Sequence, residues 1–252
     1  MEPLLVATLN LRNLADRWDE RLPLLLSDMA ALQPDLLGLQ EVVYPLQQDR
    51  LLGAAGASHY RAVRGWAGRP EYGNTILVRE PLEASDPLRL DLGRDRSATC
   101  IRLALPDGGS LVFAVTHLHH EVAGAAIRDE QAAAVVAWLD SAAAAAGAGE
   151  ATVLVGDFNA DPSEPAYARM VAAGFRSAYA EANGAEPDVT WPSGLQAPAI
   201  DDDGDPACLD YIWVRGAVRV VSARLAFDRP AVDDPGLYPS DHIGIAARVE
   251  IG

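Results

Sequence analysis

The sequence VLVGDFN (153–159) ends a hydrophobic strand with two residues that could do chemistry, Asp157 and Asn159. Side chains two apart on a strand point the same way, so this carboxylate and this amide could face one cavity. There they could hold a water molecule or stabilise an oxyanion. Gly, Asp and Asn are also the usual residues of turns, and this stretch alone favours a strand followed by an Asx-rich turn. The choice therefore depends on the rest of the chain.

Asp, Glu, Asn and His side chains recur where other apolar strands begin or end. Sheet edges brought side by side would gather these residues into one polar pocket, which a set of unrelated turns would not explain. Such a pocket suits a hard divalent cation such as Mg²⁺, held by oxygen ligands, together with a base that activates water. The residues concerned are Asn10, Glu41, Asn74, His117, Asp157, Asn159, Asp210, Asp241 and His242.

The elements that must position these residues are strands with interspersed helices. Short apolar runs predict strands, and apolar residues at helical spacing predict helices. We interpret the Ala- and Gly-rich stretch 142–149 as a helix-to-strand connection, so the chain predicts one layered α/β domain over residues 1–252. The predicted strands are 4–11, 34–42, 71–80, 97–105, 110–118, 153–159, 209–214, 218–227 and 242–251, and the predicted helices are 19–32, 127–149 and 164–174.

The charge of the chain limits its partners. The formal net charge is −16, with 36 acidic residues against 20 basic residues, all of them Arg. A strongly acidic chain repels polyanions at long range, which disfavours a processive DNA or RNA binder but not a small phosphate ester in a local pocket. The charge is uneven, since residues 61–102 hold eight Arg and six acidic residues, whereas 181–241 hold twelve acidic residues and four Arg.

Cysteine usage and hydropathy indicate the compartment. Cys100 and Cys208 suggest neither a disulfide framework nor a cysteine zinc site. No apolar run reaches membrane-spanning length, and the N-terminal MEPLLVATLNLR lacks the basic region of a signal peptide. We therefore expect a cytoplasmic monomer without an integral membrane segment.

Seven short motifs occur in the order in which a known family carries them. They are TLNLR (8–12), LQEV (39–42), YGNTILV (72–78), THL (116–118), GDFN (156–159), LDYIWV (209–214) and SDHIGI (240–245). Through them the chain resembles the endonuclease/exonuclease/phosphatase superfamily, which includes DNase I-like nucleases, abasic-site endonucleases, inositol-phosphate phosphatases and sphingomyelinases. The resemblance spans essentially the whole chain. It implies an α/β fold of four layers, an α-β-β-α sandwich with two mixed sheets face to face and helices outside.

The resemblance also implies the metal and substrate contacts. Glu41 would be the principal Mg²⁺ ligand, and Asn10 and Asp241 would be direct or water-mediated ligands nearby. Mn²⁺ would be a substitute for Mg²⁺. Asn74 would bind substrate, although an Asn that follows Gly73 is also typical of a turn.

The catalytic roles follow from the same resemblance. Asp210 would orient His242 and set its charge. Asp157 and Asn159 would bracket the attacking water or the phosphate oxygens, and His117 would donate a hydrogen bond to the phosphoryl oxygens. Either Asp157 or the His242–Asp210 pair could be the general base, and the two alternatives stay open.

The predicted function is Mg²⁺-dependent hydrolysis of a phosphoester by in-line attack of water. The charge favours a small-molecule or lipid-type phosphoester as substrate, with DNA or RNA phosphodiesters as the alternative. A catalytically inactive binding module is a further alternative. Such a protein should have lost some of the residues on which hydrolysis depends, and all are present: Glu41, Asp157, Asn159, Asp210 and His242.

Specificity is expected to reside in the loops rather than in the motifs. The predicted specificity loops are 60–71, 86–96 and 183–208, and Trp191 in the last of them either stacks on substrate or packs against the sandwich. HLHHE (117–121) suggests a zinc site only if the strand continues beyond His117. We therefore expect no dedicated zinc site there.

Overall fold

The computed structural model describes residues 2–54, 59–65, 70–105, 108–144, 151–198, 200 and 204–252. The described residues form two six-stranded mixed sheets with helices on the outer faces. This confirms the predicted four-layer sandwich. The first sheet contains, in spatial order, β11 (Val218–Ala226), β12 (Gly244–Ile251), β1 (Leu4–Asn10), β2 (Leu36–Val43), β4 (Tyr72–Arg79) and β3 (Tyr60–Arg64).

The second sheet has the same number of strands. In spatial order it contains β5 (Leu88–Gly93), β6 (Arg96–Ala104), β7 (Ser110–His117), β8 (Ala151–Asp157), β10 (Asp210–Arg215) and β9 (Arg176–Ser177). β1 and β2 are parallel, as are β7 and β8, and the other described strand pairs are antiparallel.

A crossover helix makes each parallel pair, as such pairs require. Helix α1 (Trp18–Leu32) joins β1 to β2, and α3 (Ala125–Ala144) joins β7 to β8. The remaining helices are α2 (Asp49–Ala54), α4 (Pro165–Ala172) and α5 (Ala178–Asn183), with a π-helical turn at Tyr44–Gln48 and a 3₁₀ turn at Val122–Gly124. None of the described helices is long and apolar enough to cross a membrane.

The hydrophobic core has three parts, which explains the four layers. The central part lies between the sheets, where Val6 of the first sheet and Phe113 and Val155 of the second are fully buried. The second part lies under α3 and α4, and the third under α1 and α2. The sheets approach closely at Gly38, where an added Cβ would lie 2.3 Å from Val155 Cγ2. Alternating side chains bury both faces of each sheet, so the central strands are apolar almost throughout.

Two predicted loops contain strands. The stretch 60–71 includes β3, and 86–96 includes β5 and the turn into β6. In β5 the sequence LRLDLG alternates apolar and polar residues with the period of a strand, a signal that the turn residues around it obscured. The predicted helix 127–149 corresponds to α3 (Ala125–Ala144), and residues 145–150 lie outside the described part of the chain.

Candidate active site

The predicted site residues meet at one edge of the two sheets. A cleft of about 810 Å³ opens there. The strand ends bring seven of them to its wall: Asn10, Glu41, His117, Asp157, Asn159, Asp241 and His242. Asp210 lies behind His242 and is fully buried.

The carboxylate of Asp157 is the centre of this group. Its Oδ2 accepts a hydrogen bond of 2.9 Å from Asn10 Nδ2. His117 Nε2 lies 3.4 Å and His242 Nε2 lies 3.7 Å from the same oxygen. Burial raises the pKa of Asp157 to about 6, although the nearby His242 opposes this shift. One oxygen atom is therefore the meeting point of an amide and two imidazoles.

The other oxygen of Asp157 stabilises a turn. β8 ends at Asp157, and Asn159 adopts a left-handed conformation with φ of 49°. The backbone N–H of Asn159 donates to Asp157 Oδ1 at 2.9 Å, and its side-chain Nδ2 donates to the Leu118 carbonyl at 3.1 Å. The expectation that both side chains project from one continuous strand is therefore wrong. Asp157 therefore takes part in both: its Oδ1 accepts the hydrogen bond of the Asx turn, and its Oδ2 faces the polar site.

Gly156 allows this close pairing of β7 and β8. Its φ is 153°, and an added Cβ would lie 2.0 Å from the Thr116 carbonyl oxygen. No residue with a side chain fits there without moving the backbone. The next residue pair in register is His117 with Asp157, so the glycine sets the distance between two predicted site residues.

His242 and Asp210 form a buried pair. His242 Nδ1 lies 2.9 Å from Asp210 Oδ2, and an ionised carboxylate can only accept, so Nδ1 carries a proton. Burial alone would lower the pKa of His242, but Asp210, Asp157 and Asp241 outweigh it, and the pKa is raised well above its ordinary value. The orienting role of Asp210 stays a prediction, and the hydrogen bond to Nδ1 is the contact on which it depends.

The long loop 183–208 positions that pair from behind. Thr190 Oγ1 accepts hydrogen bonds from the backbone N–H groups of Leu209 at 2.8 Å and Asp210 at 3.1 Å. The Thr190 carbonyl accepts from the N–H of Ile243 at 2.7 Å. A single loop residue therefore fixes the backbone beside both partners, a role that sequence reasoning did not assign to it.

Glu41 reaches the cleft through a bulge. The register of β2 against β4 shifts between Leu39 and Val42, and Glu41 has a positive φ of 56°. A bulge of this kind redirects a side chain from the sheet. Asn13 Nδ2 donates to Glu41 Oε2 at 2.8 Å, and Asn10 Nδ2 lies 3.4 Å from Oε1.

The side chains of Asn10 and Asp241, both predicted cation ligands, differ in their hydrogen bonds. The side-chain oxygen of Asn10 accepts from the N–H of Arg12, so its amide nitrogen faces the two carboxylates. The amide nitrogen of Asn10 thus contacts both Glu41 and Asp157, and its role as a cation ligand stays a prediction. Asp241 Oδ2 lies 3.6 Å from Arg12 Nε, and its Oδ1 accepts from Ser240 Oγ at 3.2 Å.

Two groupings could hold a metal ion. Asp157, Asp210 and His242 each offer a ligand atom, and these atoms lie within 4.8 Å of one another. However, the hydrogen bond between the two last residues already occupies His242 Nδ1. The half-buried Glu41 and the buried Asp241 both line the cleft and offer carboxylate oxygens, which a hard divalent cation prefers.

Sequence reasoning missed two arginines of the cleft. Arg12 lies beside Asp241 and is the last residue of the TLNLR motif, which was the available signal. Arg96 lies 3.0 Å from His117 Nδ1 through Nη1 and 2.9 Å from His120 Nδ1 through Nη2. Burial, followed by Arg96 and His242, lowers the pKa of His117 well below its ordinary value. His117 is therefore neutral.

Three further predicted features lie in or beside the cleft. Asn74 donates to the Ser97 carbonyl at 3.0 Å and lines a small cavity that shares Glu41 and His117 with the cleft wall, and its substrate contact stays a prediction. β7 ends at His117, and His119 Nε2 lies 3.2 Å from Glu121 Oε2. Trp191 lines the cleft, which favours stacking on substrate over packing against the sandwich.

The fold and the site combine a four-layer sandwich with a buried Asp–His pair beside carboxylates that line one cleft. The sequence profile of the Endonuclease/Exonuclease/phosphatase family matches residues 7–242. The chain therefore belongs to this family of phosphoester hydrolases, and the predicted resemblance is confirmed.

Individual relatives agree with this assignment. Nocturnin of Xenopus laevis is 26% identical over 257 residues, which cover 91% of this chain and 64% of that protein. The chain thus spans about three fifths of the length of the nocturnins it matches. The catalytic domain of human nocturnin with bound sulfate has a TM-score of 0.80 at 24% identity, covering 100% of this chain and 94% of that one. An endonuclease/exonuclease/phosphatase of Bacteroides vulgatus has a TM-score of 0.81 at 20% identity and covers both chains fully. These two likenesses show the fold.

Proposed function

We propose that this protein hydrolyses a small or lipid-derived phosphoester by in-line attack of water, with the help of a divalent cation. The arrangement around Asp157 Oδ2 carries the proposal. An amide and two imidazoles converge on this oxygen in a buried position at the floor of the cleft, and Glu41 lies on the same wall. A buried carboxylate among donors, next to a carboxylate able to bind a cation, is what water activation beside phosphate requires.

Glu41 and Asp241 are the residues that would hold the cation, and their oxygen donors fit Mg²⁺, with Mn²⁺ as a substitute. When bound, the cation would neutralise charge on the phosphoryl oxygens. Asn10 would keep the two carboxylates Glu41 and Asp157 apart and oriented through its amide nitrogen.

Asp157 is the proposed proton acceptor. Arg96 can only donate, so His117 Nδ1 is an acceptor and its proton is on Nε2, which faces Asp157 Oδ2. The neighbours of this carboxylate are thus donors, and the carboxylate itself is the acceptor for a proton from water. His242, held by Asp210, would place its Nε2–H near the phosphoryl oxygens and stabilise the charge that develops there.

The distribution of charge in the cleft supports a small substrate. Arg12 and Arg96 contact site residues of the cleft, whereas Glu186, Asp188 and Asp205 also line it. A phosphate group is attracted to the two arginines, but a continuous polyanion would also have to pass the three acidic side chains. The net charge of −16 acts in the same direction.

A hydrolysis panel tests this proposal. Inositol phosphates, sphingomyelin, bis-p-nitrophenyl phosphate, supercoiled plasmid and single-stranded oligonucleotide are incubated with and without Mg²⁺. We expect Mg²⁺-dependent turnover of small or lipid phosphoesters, lost in Glu41→Gln and His242→Ala and kept in the surface control Glu83→Gln. Efficient nicking of plasmid would instead identify a nuclease. Turnover that survives both active-site substitutions would refute the proposed mechanism.

A further inference from the structure

Arg96 lies between two histidines and fixes the protonation of both. Its Nη1 is 3.0 Å from His117 Nδ1, and its Nη2 is 2.9 Å from His120 Nδ1. A guanidinium has donors only, so both Nδ1 atoms must be acceptors. Each ring is therefore neutral, with its single proton on Nε2.

A tight hairpin holds Arg96 in this place. β5 and β6 are joined by Arg94 and Asp95, whose φ values are 53° and 57°, and Gly93 pairs with Arg96 across the turn. Two successive left-handed residues are what a two-residue hairpin turn with the right twist requires. Asp91 Oδ1 accepts from the N–H of Gly93 at 2.8 Å and stiffens the turn. The arginine is thus the first residue of a strand with a fixed register.

The donors that remain face the cleft. Arg96, His117 and His120 all line it. His117 Nε2 is 3.4 Å from Asp157 Oδ2, and His120 Nε2 has no hydrogen-bond partner among the residues that the structure describes. His120 is exposed and lies on the rim, so its free N–H is available to a ligand. Each Nη atom of Arg96 carries a second N–H beyond the one given to a histidine.

We propose that Arg96, His117 and His120 form a subsite for a terminal phosphate group, which makes the substrate a phosphomonoester. This inference rests on the proposed function and specifies its substrate class. A terminal phosphate presents three non-bridging oxygens and up to two negative charges, whereas a diester presents two oxygens and one charge. Two neutral imidazole donors on either side of one guanidinium match the three oxygens of a terminal phosphate. They exceed the number of donors that the two oxygens of a diester can use. Arg96 is a positioning residue for the histidines as well as a ligand of the phosphate.

Matched substrates separate this subsite from the general chemistry. The measurement is kcat and KM for p-nitrophenyl phosphate and for bis-p-nitrophenyl phosphate with Mg²⁺. His120→Gln should lower kcat/KM for the monoester by about 10- to 100-fold, as expected for a lost charged hydrogen bond, and change the diester value less than about 3-fold. Arg96→Gln also releases His117 beside Asp157, so it should lower both values, the monoester value more than the diester value. For Arg96→Lys, kcat/KM for the monoester should fall between the values of the native protein and of Arg96→Gln, since Lys keeps the charge but cannot reach both rings. The control is Arg94→Gln on the same hairpin, which should leave both values unchanged. Equal losses on the two substrates, or a native preference for the diester, would overturn the proposal.

A second measurement does not depend on turnover. In ¹⁵N-labelled protein, the imidazole resonances of His117 and His120 should show protonated Nε2 and unprotonated Nδ1, and titration with inorganic phosphate should shift the Nε2 signals. Arg96→Gln should mix the tautomers and weaken the phosphate response about tenfold or more. A protonated Nδ1 on either ring in the native protein, or a His120 signal that ignores phosphate, would overturn the subsite even if the enzyme is active. Loss of all turnover in the native protein with a normal phosphate response would count against the proposed function alone.

Discussion

Replacing Arg21 with Met should destabilise the protein by about 3–5 kcal/mol. Arg21 is fully buried on α1. Its guanidinium donates to six backbone carbonyls, and burial lowers its pKa to about 10. The acceptors belong to Leu11, Arg12, Asn13, Ala15, Asp16 and Pro239, at distances from 2.7 to 3.4 Å.

The magnitude follows from what those carbonyls lose. Hydrogen bonds to a charged group contribute about 1.5–3 kcal/mol each, and six at that value would equal or exceed the stability of an ordinary domain. Water and small backbone shifts must therefore satisfy several carbonyls in the variant. This limits the loss to the range measured when one partner of a buried charged network is removed, about 3–5 kcal/mol. For a chain of this size each kcal/mol lowers Tm by about 2–4 °C, so the expected drop is about 6–20 °C.

Thermal and urea unfolding measure this drop directly. Arg248→Met on the exposed surface of β12 is the control, and Arg21→Lys should fall between, because an ammonium keeps the charge without the planar set of five donors. Since the six carbonyls belong to the segments after Asn10 and before Asp241, turnover should fall with stability even at temperatures where the variant is folded. An Arg21→Met protein that melts within about 2 °C of the native one would refute the reasoning.

Four further outcomes are expected. Gly156→Ala should lower Tm and turnover together, because its Cβ would lie 2.0 Å from a Thr116 backbone atom, and unfolding scans and steady-state rates check both. Asp210→Asn should lower kcat/KM by about 100-fold or more while the protein stays folded, since His242 loses the charge that fixes its proton; a pH–rate profile would show the shift. Burial raises the pKa of Glu186, so the native protein loses stability as pH rises through that folded-state pKa. Glu186→Gln should accordingly stabilise at pH 8 and not at pH 4, as urea titrations at the two pH values would show. Mg²⁺ should raise Tm and EDTA should remove the gain, which a Glu41→Gln variant would not display.

The parts of the site that sequence predicted are those with a local signal. Asp157 and the Asp210–His242 pair each border an apolar strand, and the ends of neighbouring strands meet at one sheet edge. Asn159 carried the same signal but reached the cleft by a turn. The hydrogen bond of 2.9 Å from the Asn159 N–H to the Asp157 carboxylate stabilises this turn, and strand periodicity does not predict it.

The parts that sequence did not predict depend on contacts between distant elements. Arg96 looks like any hairpin arginine until β6 is paired with β7, which brings it to His117 and His120. Thr190 lies in a Gly- and Pro-rich stretch, and its role appears only when 183–208 folds back on the start of β10. Such roles require the register of the sheets, which a pattern of apolar residues does not supply.

The two sheets repeat one pattern of strand directions. In each, a central parallel pair is flanked on both sides by two antiparallel strands, and a crossover helix joins the pair. The second strand of each pair delivers a carboxylate to the cleft, Glu41 in one sheet and Asp157 in the other. The two carboxylates therefore come from equivalent strand positions of the two sheets, so the packing of one sheet on the other sets the distance between them.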